Sequence, residues 1–208
     1  MDYGLVLALL AGRAALSVSY VQTVMAAAPI DLVGVIEWPQ CECLNEAKDH
    51  TLRHCLEQGA RDQPTLYLQS DCDEELLAHI SFMSPVRLSH ILIQGPPDQA
   101  PSALRLFVNK IGVDFDSAKT EKATQDINLT PAQVTEGAPP VELRFVLFQN
   151  VQRLSIFVPA NLGGGDETII TKLVIMGQEI VHEGTKRSKE DQDKAMKGDW
   201  LGKGVQGT

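Results

Sequence analysis

Aromatic residues are scarce in this chain of 208 residues, and tryptophan occurs only at Trp38 and Trp200. Sugar-binding sites usually offer aromatic platforms with polar neighbours, so this scarcity disfavours a glycan-binding function. Long unbroken apolar runs are also missing, because Arg13 interrupts the apolar first thirty residues and argues against a membrane-spanning helix there. A secretory signal peptide is disfavoured too, since the first charge is Asp2 and not a basic residue.

Basic residues are outnumbered, with 18 Lys and Arg against 27 Asp and Glu and a formal net charge of −9. Proteins that bind nucleic acid use clustered Lys and Arg to displace counterions from the phosphates. Anionic membrane surfaces likewise attract basic segments. The charge therefore predicts neither a nucleic-acid partner nor a membrane partner.

Catalytic motifs are missing as well. The sequence contains no GxSxG nucleophile elbow and no HExxH zinc motif. The histidines stand at separate positions, and His79 and His90 fall in alternating strand-like runs where a residue on the face of a strand is the simpler interpretation. We therefore expect a protein that is not an enzyme and that needs no cofactor.

The four cysteines, Cys41, Cys43, Cys55 and Cys72, do not form a CxxC redox motif. Cys41 and Cys43 make a CxC, whereas structural zinc sites usually space paired cysteines by two to four residues. A zinc site with the nearby histidines is thus disfavoured relative to free thiols of an intracellular protein. We predict that all four cysteines are reduced and that none is redox-catalytic.

A cluster of carboxylates occupies residues 71–75, with Asp71, Asp73, Glu74 and Glu75. Such a cluster raises the alternative of a calcium site. An EF-hand loop, however, needs glycine at its sixth position, and counting from Asp71 that position is Leu76. The pattern favours a solvated turn that leads into a strand, and it predicts no metal site.

Short runs of alternating apolar and polar residues dominate the middle of the chain. They are separated by clusters of Pro, Gly, Asn and Asp, including an "MSP" turn at 83–85, and this pattern is typical of an all-β sandwich or barrel. One short helix is expected within residues 47–59. The predicted strands cover residues 77–82, 86–93, 103–109, 141–148, 153–158 and 168–177.

A glycine-rich stretch, NLGGGDET, covers residues 161–168. Glycine-rich loops can cradle phosphate, but phosphate loops of the Walker and Rossmann types lead into a helix. Here no Lys follows the glycines, and a β-branched run comes next. We predict a hairpin turn between two strands, with at least one positive φ angle among Gly163, Gly164 and Gly165.

The two ends of the chain differ from the middle. Residues 1–29 are expected to be an N-terminal extension, and the alternative is that residues 1–24 are a segment that targets the protein to an organelle. Residues 181–208 are polar and rich in charge and glycine, which predicts a disordered tail. That tail contains one apolar island at Met196, Trp200 and Leu201, and the domain proper is expected to span residues 30–180.

Several segments in order, among them ECLNE, SDCDEELL and FQNV followed by the glycine-rich turn, resemble the PITH domain family. The resemblance runs from about Ile30 to Gly177. It implies a jelly-roll-like antiparallel β-sandwich of the galactose-binding-like type. It also implies a non-catalytic, monomeric module of the cytoplasm and nucleus that binds the regulatory particle of the 26S proteasome. The thioredoxin domain of the family's thioredoxin-like member is not present in this sequence.

Two loops and the tail are the expected contact regions for such a partner. A loop site would use Asp71, Asp73 and Glu74 together with Asn161, Gly163, Gly164 and Asp166. The tail outline, with Met196 and Trp200, is similar to that of the thioredoxin-like member, although its more basic ending is replaced here by VQGT. A sandwich that binds a small ligand or a glycan is the alternative function.

Overall fold

The structure is a computed structural model, and it describes residues 28–180. Within that range the chain forms ten β-strands and three short α-helices. The helices are α1 (Leu52–Leu56), α2 (Phe115–Thr120) and α3 (Pro131–Val134). The strands are β1 (Ile30–Asp31), β2 (Glu42–Leu44), β3 (Leu68–Gln69), β4 (Leu76–Gln94), β5 (Ala103–Val108), β6 (Gln125–Asn128), β7 (Val141–Glu142), β8 (Val151–Val158), β9 (Ile169–Ile170) and β10 (Lys172–Glu179).

Strand β4 runs through both layers of the fold. Its first part, residues 76–81, pairs with β8 on one side and β2 on the other. Its second part, residues 86–94, pairs with β10 and β7. The register shifts between Ser81 and Val86, where a bulge bends the strand, and such bulges let one strand pass from one sheet to the next.

The two layers pack face to face as an antiparallel sandwich. One layer has the order β6-β5-β8-β4-β2, and the other has β7-β4-β10-β1. The main core holds side chains from both, such as Ile80 and Ile156 from the first and Ile91 and Ile175 from the second. All strand pairs in the described range are antiparallel, so the all-β sandwich expected from the alternating pattern is confirmed.

A smaller apolar cluster lies on the outer face of the first layer. Leu77, Phe107 and Phe157 point away from the main core, and helix α2 covers them through Ala118 and Phe115. The helix is fixed at its start because Asp114 accepts from the Ser117 amide at 2.8 Å. No helix within residues 28–180 has the length and apolar character that crossing a membrane requires.

The expected turn at Met83-Ser84-Pro85 is wrong, because β4 continues through it. Proline lacks a backbone N–H and is tolerated in a strand at a bulge, which is where Pro85 sits. The two predicted strands 77–82 and 86–93 are therefore one bent strand. The bulge interrupts the two-residue alternation in the sequence. The alternation alone does not distinguish a bend within one strand from a turn between two strands.

The expected strand over residues 141–148 is also largely wrong. Only Val141–Glu142 pairs with β4, and Phe145–Leu147 forms a 3₁₀ turn. Phe148 is fully buried, whereas the three turn residues are exposed. Of the alternating apolar residues that suggested a strand, Phe145 and Leu147 thus lie on the surface, whereas Leu143 is buried.

Other expected elements are confirmed with small changes of bounds. The runs at 103–109 and 153–158 correspond to β5 and β8. The run 168–177 is divided into β9 and β10 at Thr171, whose amide donates to Gln94 O at 2.8 Å. The helix expected within 47–59 is shorter, and α1 begins after Thr51, whose amide donates to His54 Nδ1 at 3.3 Å.

Candidate functional site

Three loops meet at the end of the sandwich that lies opposite the bulge, and we call this surface, residues 70–75, 96–102 and 161–168, the loop face. The acidic and glycine-rich loops are joined through Thr168. Its hydroxyl donates to Glu74 O at 2.6 Å, and its amide donates to Ser70 Oγ at 2.9 Å. Thr168 and Ser70 are buried, so the two loops expected to bind a partner form one rigid unit.

The Asn45 side chain anchors the acidic loop, residues 70–75, by hydrogen bonds. Its side-chain amide donates to Asp73 Oδ1 at 2.8 Å and to Glu75 O at 2.7 Å, and its Oδ1 accepts from the Cys72 amide at 3.0 Å. The backbone of Asn45 has a φ of 65°, a conformation that asparagine tolerates better than most residues. The solvated turn expected at 71–75 is confirmed, but sequence reasoning missed the residue that shapes it.

The glycine-rich loop is not a hairpin turn, contrary to expectation. Strand β8 pairs with β4 and β5, whereas β9 pairs with β3 in a separate two-stranded sheet. The loop therefore connects two different sheets. The expected positive φ is confirmed at Gly164, with 68°.

Asn161 folds the glycine-rich loop around its own side chain. The Asn161 amide group donates to Gly165 O at 2.7 Å and to Glu167 O at 2.9 Å, and its Oδ1 accepts from the Gly165 amide at 3.2 Å. Asn161 is buried, with 5% of its surface exposed. It is therefore placed to position the loop, and contact with a partner through its side chain stays a prediction.

The third loop, residues 96–102, is fastened to the glycine-rich loop by backbone and side-chain contacts. The Gly163 amide donates to Asp98 O at 2.8 Å. The Glu167 carboxylate accepts from Gln99 Nε2 at 2.6 Å and also from Gln69 Nε2. Because Gln69 lies in β3, this carboxylate ties the loop face to the small β3–β9 sheet.

The outer surface of the loop face is acidic. The expected contact residues Asp71, Asp73 and Asp166 are exposed, as is Asp98 of the third loop, and Glu74 is half-buried. Glu75 is partly neutralised by Lys119, whose Nζ lies 2.8 Å from Glu75 Oε2 and whose pKa is raised by that hydrogen bond. The loop face thus presents several exposed carboxylates.

The four cysteines of the described range are free thiols. The Asp71 carboxylate beside Cys72 raises the pKa of that exposed thiol, and burial raises the pKa of Cys41, Cys43 and Cys55. The reactive form of cysteine is the thiolate, so each of these shifts lowers reactivity. Within residues 28–180, no three His, Cys, Asp or Glu side chains stand where they could hold a metal ion together.

One His–Ser pair has hydrogen-bonding geometry, since His79 Nδ1 lies 2.8 Å from Ser155 Oγ. Ser155 has no exposed surface, however, so a substrate cannot reach its hydroxyl. The pair joins neighbouring strands β4 and β8 at opposite positions. It is a structural contact within the first layer and does not form a nucleophile–base site.

The half-buried position of His79 gives the free energy of unfolding a pH dependence. Burial lowers the pKa of His79 below its ordinary value of 6.5, with Arg153 lowering it further and Glu42 opposing. The unfolded chain therefore binds a proton at a higher pH than the folded chain, and stability falls as pH drops through about 6.5. We expect the melting temperature of the parent to fall more between pH 7.5 and 5.5 than that of His79→Gln. Equal falls in the two proteins would contradict this assignment.

Two expected contact residues, Met196 and Trp200, lie outside the described residues, and their role stays a prediction. Among the expected loop residues, Asp71, Asp73 and Asp166 are exposed. Asn161, Gly163 and the Glu74 carbonyl make contacts that hold the loops together, and Gly164 supplies the positive φ.

The profile of the PITH domain matches residues 23–194 of this chain. The "PITH domain-containing protein ZK353.9" of Caenorhabditis elegans is 36% identical over 155 residues, which is 74% of this chain and 72% of that protein. The "PITH domain-containing protein 1" of Homo sapiens is 30% identical over 145 residues, covering 69% and 67% of the two chains. "Thioredoxin-like protein 1" of Schizosaccharomyces pombe is 33% identical over 153 residues, which is 72% of this chain but only 51% of that protein.

Solved structures with a similar fold come from carbohydrate-binding modules and lectins. The CBM32-3 module of a family 31 glycoside hydrolase from Clostridium perfringens superposes with a TM-score of 0.51 at 13% identity, covering 72% of this chain and 95% of the module. A fucolectin from Morone saxatilis gives 0.51 at 9% identity, over 73% and 50% of the two chains. At such low identity the likeness establishes the galactose-binding-like fold alone.

Proposed function

The chain belongs to the PITH domain family, a proteasome-associated domain family, and on that premise we propose that it is a non-catalytic interaction module that binds the regulatory particle of the 26S proteasome. The observation that carries this proposal is the match over residues 23–194, which includes every described element of the sandwich. The chain spans about half the length of Thioredoxin-like protein 1, so the activities of that longer protein are not assigned to this chain.

The loop face is the contact surface that we propose. Its loops are held by the buried side chains of Thr168 and Asn161, so little ordering is needed when a partner binds. Its exposed carboxylates, led by Asp71, Asp73 and Asp166, suit a partner surface that carries Lys or Arg. We propose that these charges set the register of the complex while the glycine-rich backbone allows close approach.

The alternative, binding of a small ligand or a glycan, has weaker support. Residues 70–75, 96–102 and 161–168 contain no aromatic residue on which a sugar ring could stack. The likeness to carbohydrate-binding modules lies at 13% identity and shows the fold alone. Galactose or N-acetylgalactosamine at millimolar concentration is accordingly expected to leave the melting temperature unchanged.

Further features of the proposal concern redox chemistry, assembly and location. The thiols of Cys41, Cys43, Cys55 and Cys72 are free and have raised pKa values, which supports a module without disulfide chemistry. We propose that the domain acts as a monomer in the cytoplasm and nucleus, where the proteasome itself works.

A capture experiment tests the proposed function directly. Immobilised full chain is incubated with purified 26S proteasome, with purified regulatory particle and with the isolated 20S core. We expect capture of the first two and none of the 20S core, and capture should weaken as salt rises from about 50 to 300 mM because exposed charges are screened. Failure to capture the regulatory particle at every salt concentration would contradict the proposal.

A further inference from the structure

A cleft of about 600 Å³ lies where the start of β8 meets the bulge of β4. The residues that line it come from the segment before β2, from β4 at its bulge, from the turn after β5 and from the start of β8. They are mostly polar, and they include Glu37, Ser81, Ile111 and Arg153. The cleft lies outside the loop face, and the proposed function does not use it.

Of the described residues that line the cleft, Arg153 alone is cationic. The ion pairs within residues 28–180 do not include Arg153. Its side chain is half-buried, and the one hydrogen bond that this side chain makes within that range runs from Nε to Ser81 Oγ at 3.3 Å. Charged side chains that are withdrawn from water are usually paired. The two Nη groups of Arg153 are therefore available to a ligand of opposite charge.

The contact with Ser81 fixes the guanidinium and leaves its outer end open. Arginine presents its donors in a planar fork, and Nη1 and Nη2 together match the two oxygens of a carboxylate. Ser81 is buried and lies opposite Arg153 in the β4–β8 pair, and its hydroxyl also contacts Gln40 O at 3.3 Å. The orientation of the fork is thus set before a ligand binds, which lowers the cost of binding.

The backbone that carries Arg153 is also held in place. Asn109 follows β5 and has a φ of 55°. Its Oδ1 accepts from the Gln152 amide at 2.8 Å and from the Arg153 amide at 3.1 Å, and its Nδ2 donates to Asn150 O at 2.6 Å. These contacts fasten the start of β8 to the turn after β5. The cleft also borders the bulge of β4, and bulges are over-represented next to functional sites, where they redirect side chains.

Ile111 gives the cleft an apolar wall. It is 86% exposed, and it lines the same cleft as Arg153. Single apolar side chains are common on protein surfaces, but this one stands in a cleft that also holds an unpaired cation. A ligand that satisfies both side chains carries a carboxylate next to an aliphatic group. A Glu or Asp beside Leu, Ile or Val in a polypeptide has this chemistry.

A carboxylate fits this cleft better than a phosphate group does. Phosphorylated segments are recognised by clusters of Arg, and the described lining of the cleft has one. Glu37 also lines the cleft, and the ion pairs within residues 28–180 do not include it. The Glu37 carboxylate would repel the second negative charge of a phosphate group more than it repels a single carboxylate.

We propose that this cleft binds an acidic segment of a partner protein, in which a Glu or Asp stands next to an aliphatic residue. The carboxylate accepts from Nη1 and Nη2 of Arg153, and the aliphatic side chain covers Ile111. The cleft is opposite in charge preference to the loop face, so the two surfaces take different partners or different parts of one partner. This inference does not depend on the proposed function.

Nuclear magnetic resonance of the full chain tests the site with a defined probe, the blocked peptide acetyl-Ala-Leu-Glu-Leu-Ala-amide. The Nε–Hε signal of Arg153 is identified by its loss in Arg153→Lys. We expect the peptide to shift that signal saturably, together with the methyl signals of Ile111. The same peptide with Gln in place of Glu should bind about tenfold or more weakly, because hydrogen bonds to a neutral amide are weaker. Equal binding of the two peptides, or no binding of either, overturns the proposal.

Variants of the cleft separate charge from geometry. Arg153→Gln should weaken binding of the Glu peptide by about tenfold or more. Arg153→Lys keeps the charge but loses the fork, and it should weaken binding by about threefold or more. The control Arg87→Gln removes an equal charge from an exposed residue of β4 that does not line the cleft, and it should bind like the parent. Dispersed amide signals in each variant show that the sandwich is intact.

Other ligands of the cleft give other results. If inorganic phosphate shifts the Arg153 signal at a lower concentration than the Glu peptide does, the ligand is a phosphate group. If a second copy of the chain fills the cleft with carboxylates of its loop face, the signal moves when the parent alone is diluted, and Asp71→Lys reduces that movement. Equal losses of peptide binding in Arg153→Gln and Arg87→Gln show a general effect of charge. Each of these three results overturns the proposal.

Discussion

Gly163→Val will lower the melting temperature by about 4–8 °C, because the new side chain meets a backbone oxygen that cannot move away. A Cβ atom at position 163 would lie 2.5 Å from Asp98 O. The same oxygen accepts the Gly163 amide at 2.8 Å, so relieving the clash breaks a hydrogen bond between two loops. Overpacking of this kind costs roughly 1–3 kcal/mol.

The neighbouring glycines supply the controls for this prediction. Gly164 has a φ of 68°, and a β-branched residue in that conformation costs about 1–2 kcal/mol. A Cβ atom at Gly165 would meet nothing within 4 Å, and its φ is not positive. Thermal unfolding should therefore give Gly165→Val a melting temperature near that of the parent. The melting temperatures of Gly163→Val and Gly164→Val should be clearly lower. If all three variants have the melting temperature of the parent, the contact between Gly163 and Asp98 does not hold the loop.

Asn45→Ala will also destabilise the protein, by about 2–3 kcal/mol, or about 5–10 °C in melting temperature. Alanine removes the side-chain contacts to Asp73, Glu75 and the Cys72 amide. It also places a residue without a local hydrogen bond at a φ of 65°. Because the acidic loop loses its support, binding to the regulatory particle should weaken in the same variant.

The variant Asn45→Gly separates the loss of the side-chain contacts from the backbone strain at positive φ. Glycine adopts positive φ without strain but cannot make the three contacts. We expect Asn45→Gly to be less destabilised than Asn45→Ala by about 1 kcal/mol, and to lose as much binding. Chemical denaturation of both variants gives the comparison. An Asn45→Gly protein that binds like the parent would contradict the role assigned to the side chain.

The strand content of the fold could be predicted because a half-buried strand leaves a two-residue alternation in the sequence. The runs at 103–109 and 153–158 begin with such an alternation, and they correspond to strands β5 and β8. The alternation does not indicate which strands pair with each other. It therefore could not show that β4 serves two layers, nor that the glycine-rich loop joins two sheets.

Residues 141–148 show the opposite error, because their alternating pattern forms a strand only at Val141–Glu142. Their alternation resembles a strand, but Phe145, Val146 and Leu147 lie on the surface. Periodicity reports which side chains share a face and does not report whether a second sheet is there to cover that face. The exposure of these residues became visible only in the three-dimensional structure.

For the candidate site, the sequence identified the acidic and glycine-rich loops by their unusual composition. It did not identify Asn45 or Thr168, which hold them, because single polar residues leave no pattern. Asn45 lies 28 residues from Asp73, and Thr168 lies 94 residues from Glu74. Such long-range contacts depend on topology, which residue spacing does not encode.

The most direct test of the central claim is the dissociation constant of the purified regulatory particle for three forms of the chain. These are the parent, the loop-face variant Asp71→Lys/Asp166→Lys, and the control Glu142→Lys/Glu179→Lys, which makes the same change of net charge on exposed residues outside the loop face. Reversing two contact charges should weaken binding by about tenfold or more, with the control within about twofold of the parent. Equal constants for the parent and the loop-face variant would contradict the assignment of this surface.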